Sequence, residues 1–121
     1  MGALVALFIA EFRAYYMAGK PVNEANLANY LTWSYKTGGI ESMLCDAEYG
    51  GFGCEEYRAS VRKHGAFAGQ LTILKITGHS PVSSTRLQVH VKVRRERGTS
   101  EEKLVINRDG LIYSFAPETF K

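Results

Sequence analysis

The chain has 121 residues, 45% of them hydrophobic and 22% charged, the balance of a globular protein and not of a disordered one. A single domain over 1–121 of this size buries roughly two thirds of its unfolded surface. The net charge of +3 conceals an asymmetry, because residues 1–57 carry 3 basic and 7 acidic side chains and residues 58–108 carry 11 basic and 3 acidic. A basic region of that kind can attract nucleic acid, acidic protein or lipid headgroups, or can simply form a solvated face.

The chain opens on an apolar stretch from Ala3 to Ala10, with Glu11 and Arg13 following at once. That stretch is too short for a membrane span and lacks the basic segment that precedes a signal peptide core, so neither is expected. Leu4, Phe8, Phe12 and Tyr15 recur at helical spacing, widened by Leu7 and Tyr16, and predict a first helix over 3–18. Gly19 and Pro21 end it. Asn23 caps a second, shorter helix whose inward residues are Leu27, Tyr30 and Leu31, and Gly38-Gly39 breaks the chain after it. From Trp33 to Gly53 periodicity is weak and glycine frequent, which predicts a long irregular link. A third helix has Glu55 and Glu56 in its first turn and Arg62, Lys63 and His64 in its last, charges that complement the helix dipole. Tyr57 and Val61 supply its inward face, and Gly65 stops it.

The rest reads as strand. Leu71–Thr77 is the first strand, and Gly78-His79-Ser80-Pro81 is expected to end it. Leu87, Val89, Val91 and Val93 then alternate with Gln88, His90, Lys92 and Arg94, the period of a half-buried strand. Three consecutive antiparallel strands are expected over 86–95, 102–107 and 111–116. A two-residue turn at Asp109-Gly110 sets Ile106 opposite Tyr113 and Leu104 opposite Phe115. A turn at Gly98-Thr99 sets Val93 opposite Leu104 and Val91 opposite Ile106. The expected buried face then comprises Leu87, Val89, Val91, Val93, Leu104, Ile106, Leu111, Tyr113 and Phe115, with the Tyr113 phenol as its one polar group.

Residues that carry chemistry are sparse. Gly50-Gly51-Phe52-Gly53 precedes a helix but lacks the Gly-Lys-Ser/Thr ending of a phosphate loop, and Glu55 and Glu56 would repel phosphate. His64, His79 and His90 have no metal-ligand spacing, so no metal or other cofactor is expected. Cys45 and Cys54 lie nine positions apart: in an oxidising compartment they can close the intervening loop, and in a reducing one they are two thiols. Asp46 lies among aromatic residues, where desolvation would raise a carboxylate pKa and suit it to general-base work. His64 is a second candidate base, with Tyr57 and Tyr113 as candidate donors to a developing oxyanion. On the basic side, Arg86, His90, Lys92, Arg94 and Lys103 are the candidate binding residues. Arg95 joins Arg86, Lys92, Arg94 and Lys103 in a nucleic-acid reading. The basic strand has His90 as its only ring, and single-strand readers add stacking rings to charge, so nucleic acid is disfavoured as a partner.

Helices followed by an antiparallel meander, with the run Cys54-Glu55-Glu56-Tyr57-Arg58 to Gly65 leading into Leu71-Thr72-Ile73-Leu74, resemble small members of the nuclear-transport-factor-2-like, cystatin-like superfamily. The resemblance covers nearly the whole chain, rests on element order and implies an α+β fold: three N-terminal helices packed on a curved antiparallel sheet, cone-like, enclosing a pocket. Members of that superfamily include isomerases, dehydratases and hydrolases as well as binding and assembly modules, among them extracytoplasmic parts of conjugation machinery, so the fold by itself does not choose. The apolar inward positions favour a non-catalytic binding or assembly domain that uses an apolar pocket or its basic sheet face. Its expected partner is a protein or a second copy of the chain, with a small apolar ligand as a further candidate. The alternative is a small-molecule enzyme using a pocket carboxylate or histidine as base.

Overall fold

A computed structural model describes residues 24–46, 51–70, 74–107 and 110–118. The first helix expected over 3–18 and the Asn23 cap lie outside these. Three helices, α1 (Glu24–Thr37), α2 (Gly39–Cys45) and α3 (Cys54–His64), precede four strands, β1 (Leu74–Pro81), β2 (Arg86–Arg95), β3 (Gly98–Asn107) and β4 (Ile112–Pro117). The strands form one curved antiparallel sheet in sequence order, and the class is α+β.

α1 forms because its buried stripe, Leu27, Tyr30, Leu31, Ser34 and Tyr35, falls at i, i+3, i+4, i+7 and i+8. The stripe runs on past Trp33, so the helix continues to Thr37 where an irregular link was expected. Ser34 and Thr37 do not break it, because each hydroxyl donates to a carbonyl one turn back, Tyr30 at 3.0 Å and Trp33 at 2.8 Å. Gly38, at φ +76°, separates α1 from α2, which buries Ile40, Met43 and Leu44. The expected irregular link is therefore largely helical. α3 has the predicted end charges and buries Tyr57 and Ser60, with Val61 half-buried beside the core. α1 lies against β1 and α2, whereas α2 and α3 lie against β4.

The sheet shows three departures from expectation. β1 continues through Gly78-His79-Ser80-Pro81, pairing with β2 as far as Pro81↔Leu87, and a bulge between Ile76 and Gly78 absorbs the irregularity. Pro81 is tolerated there because it ends an edge strand. The β2–β3 turn is Glu96-Arg97 and not Gly98-Thr99, so Val91 faces Glu102 and Val93 faces Ser100. This register forms a ladder from Arg86↔Asn107 to Arg95↔Gly98, longer than the expected strands allowed. It also docks the turn on α3: Arg97 donates its amide to the His64 carbonyl at 2.8 Å and its guanidinium to the Arg62 carbonyl at 2.8 Å. The slip is four residues, an even number, so Val89, Val91, Val93, Leu104 and Ile106 still share the buried face.

The third departure is in β4. Leu104 faces Phe115 as expected, but a register shift between Val105 and Ile106 pairs Ile106 with Ile112 and leaves Tyr113 unmatched. Ile112, not Tyr113, enters the core. An isoleucine leaves no hydroxyl to satisfy there. Gly110, at φ +89°, makes the local turn through its amide to the Asn107 carbonyl at 2.9 Å, and its own carbonyl accepts a hydrogen bond from the buried Tyr30 hydroxyl. No helix among the described residues is long and apolar enough to cross a membrane.

Candidate functional site

The inner face is less apolar than its alternation suggests. Arg95 continues the Val91–Val93 parity and Glu102 the Leu104–Ile106 parity, so both point into the core, 2% and 0% exposed. One Arg95 amino nitrogen donates to both Glu102 oxygens, at 3.0 and 2.9 Å. Arg95 Nε donates to Ser100 Oγ at 3.2 Å and its other amino nitrogen to the Gly65 carbonyl at 3.3 Å. Glu102 also accepts from Tyr35 at 2.6 Å and from Ser100 Oγ at 3.0 Å. The guanidinium lies 5.7 Å from the Tyr35 ring centre and 5.6 Å from that of Tyr57. Burial, reinforced by the Glu102 charge and hydrogen bond, pushes the Tyr35 phenol well above its usual pKa of 10.0. Burial also raises Tyr57, with Arg95 opposing and Glu102 adding to the shift. Arg95, Tyr35 and Ser100 together direct four donor contacts at the Glu102 carboxylate, so both of its oxygens are engaged within the core. Arg95 accordingly leaves the set of surface cations. Parity alone could have found both residues.

The four candidate catalytic residues stand in separate surroundings. Asp46 is exposed at a shallow depression with Glu41, Ser42, Cys45 and Arg58. Tyr57 is buried edge-on to Phe115, ring centres 5.3 Å apart. Tyr113 lies on the outer face of the sheet. His64 is half-buried in a groove of about 540 Å³ between α3 and the strand ends, alongside Ser60, Lys63, Lys92, Ser100 and Glu101. Among the described residues no cluster of His, Cys, Asp or Glu could hold a metal ion.

The candidate binding residues do share one surface. Arg86, Gln88, His90, Lys92 and Arg94 alternate outward along β2, with Lys103 opposite His90. Lys92 and Arg94 are exposed. Lys92 stands directly opposite Lys75 of β1, also exposed, and opposite Glu101 of β3 on its other side. His90 is half-buried, bonded through Nδ1 to Glu118 and through Nε2 to the Gln88 side chain at 2.9 Å. Arg86 is also half-buried: its Nε donates to Asn107 Oδ1 at 3.0 Å, and the guanidinium lies 3.7 Å above the Tyr113 ring. The β4 bulge that withdraws Tyr113 from the core is what places a ring on this face.

A second ring arrives from outside the sheet. Cys45 and Cys54 form a disulfide, Cα atoms 5.0 Å apart, tying α2 to α3. Just before Cys54, Phe52 makes a one-residue parallel bridge to Ser114: its amide donates to the Tyr113 carbonyl at 2.9 Å, and its carbonyl accepts from Phe115 at 3.0 Å. Bridged residues point to the same side, so Phe52 joins the outer face, 60% exposed and edge-on to Tyr113 with ring centres 5.3 Å apart. Sequence spacing could not show this, since Phe52 lies 34 positions from Arg86 and 61 from Tyr113. No protein family, curated protein or solved structure matches this chain.

Proposed function

We propose that the domain is a non-catalytic binding or assembly module that engages an acidic protein surface through the outer face of its sheet. The observation that carries this reading is the exposed Lys75–Lys92 pair, directly opposite across β1 and β2, with Arg94 and Lys103 on the same face. Like charges so placed repel, Glu101 opposite Lys92 offsets part of that repulsion, and an anionic partner relieves the rest. The buried ionisable groups meanwhile satisfy one another, and the candidate catalytic side chains stay apart. The element order fits the nuclear-transport-factor-2-like assembly modules, and the disulfide fits an oxidising environment. The test is a titration of the folded chain with poly-glutamate at low and physiological salt. Lys92→Ser/Arg94→Ser should leave the fold unchanged, weaken binding and flatten its salt dependence. Unchanged binding at low salt would reduce the basic face to a solvated surface.

A further inference from the structure

We propose that Phe52, Tyr113 and Arg86 form an anchor spot for an apolar side chain of the acidic protein segment that binds this face, an inference that rests on the reading of the outer face just given. Phe52 and Val82 are the exposed large hydrophobic residues among those described, and the Phe52 backbone is tied down on several sides. Its amide and carbonyl are both engaged by β4. The disulfide lies two positions on, at Cys54. The flanking glycines sit flush on the scaffold: a Cβ at Gly51 would stand 2.9 Å from the Met43 carbonyl oxygen, and one at Gly53 2.2 Å from that of Phe115. With its backbone held in this way, an outward ring costs little backbone ordering on binding, which suits an aromatic anchor at an interface.

The charges select the occupant. Arg86 is stacked against the Tyr113 ring, and Lys103, Lys92, Arg94 and Lys75 continue the face in β3, β2 and β1. The carboxylates of that face, Glu101 opposite Lys92 and Glu118 on His90, stand among the cations at the other end of the face from Asn107, the residue that holds Arg86, so the excess positive charge is carried by Arg86, Arg94, Lys75 and Lys103. An anionic segment therefore fits, with its apolar side chain on Phe52. Nucleic acid fits less well. Successive bases need free ring faces, whereas one face of Tyr113 is covered by Arg86 at 3.7 Å and Phe52 packs across the same ring at 69° to its plane.

The experiment uses the isotope-labelled full chain and two short peptides of Asp and Glu, one with a central Trp and one with Ser in its place. The Trp peptide should shift the amide signals of Phe52, Tyr113 and Arg86 and bind about tenfold more tightly than the Ser peptide. Phe52→Ala should erase that advantage and leave the Ser peptide unaffected. Phe52→Leu should retain most of it, and the thermal melts of both variants should match the parent. Equal affinity for the two peptides, still dependent on Lys92 and Arg94, would overturn the anchor and leave the basic face standing. Binding of neither peptide by the folded chain would overturn both. Phe52-dependent binding of an oligothymidine in preference to the Trp peptide would overturn the choice of a protein partner.

Discussion

Replacing Glu102 by Leu tests the buried ion pair most directly. The substitution removes the carboxylate bonded to Arg95, whose side chain is fully buried and also donates to Ser100 and the Gly65 carbonyl. It also leaves the Tyr35 hydroxyl and Ser100 Oγ without their acceptor. Breaking one side of a buried pair costs about 3–5 kcal/mol, because the remaining charge stays desolvated and uncompensated. A domain of 121 residues has a total stability of roughly 6–18 kcal/mol, so the loss is a substantial share. It should lower the melting temperature by about 10–20 °C. The triple variant Arg95→Met/Glu102→Leu/Tyr35→Phe removes the charges and the buried phenol together, and should recover to within about 2 kcal/mol of the parent. Urea unfolding followed by the fluorescence of the single tryptophan, Trp33, with circular dichroism as a second probe, measures both. A Glu102→Leu variant within about 0.5 kcal/mol of the parent, or a triple variant no better than the single, would refute the account of a charge-compensated core.

The tyrosines predict a loss of stability in alkali. Because the folded-state pKa values of Tyr35 and Tyr57 are raised, the unfolded chain releases these protons first, so stability should fall as pH rises past about 10, less steeply in Tyr35→Phe. Replacing both Cys45 and Cys54 by Ser should cost about 2.5–3 kcal/mol through the loop entropy returned to the unfolded chain, read from the urea midpoint. Gly53→Ala puts a side chain at φ +100° and against the Phe115 carbonyl, and should cost at least about 2 kcal/mol with loss of the Phe52–Ser114 bridge by amide exchange. Lys92→Ser/Arg94→Ser should move the melting temperature by no more than about 2 °C in either direction, since both side chains are exposed.

Local periodicity in the sequence determined the α+β class, the Leu27–Tyr30–Leu31 stripe, the charged ends of α3 and the inward strand positions Val89, Val91, Val93, Leu104, Ile106 and Phe115. These depend on side chains repeating every 3.6 or every 2 residues, a property of neighbours along the chain. The cysteine pairing was legible as a choice between two states, and the fold brings Cys45 and Cys54 close enough to bond. Register and the polar chemistry were decided only in three dimensions. The Glu96-Arg97 turn prevails because it lengthens the ladder and lets Arg97 dock on the α3 carbonyls, an energy that comes from a helix more than thirty residues away. The β4 bulge prevails because Ile112 fills the core without a hydroxyl to satisfy, and that choice sends Tyr113 outward to meet Arg86. The outer face thus joins a bulged strand, a basic strand and a glycine-flanked phenylalanine from the disulfide loop. Side chains so far apart in sequence meet only after the chain has folded, which is why the sequence showed the cations and not the rings beside them.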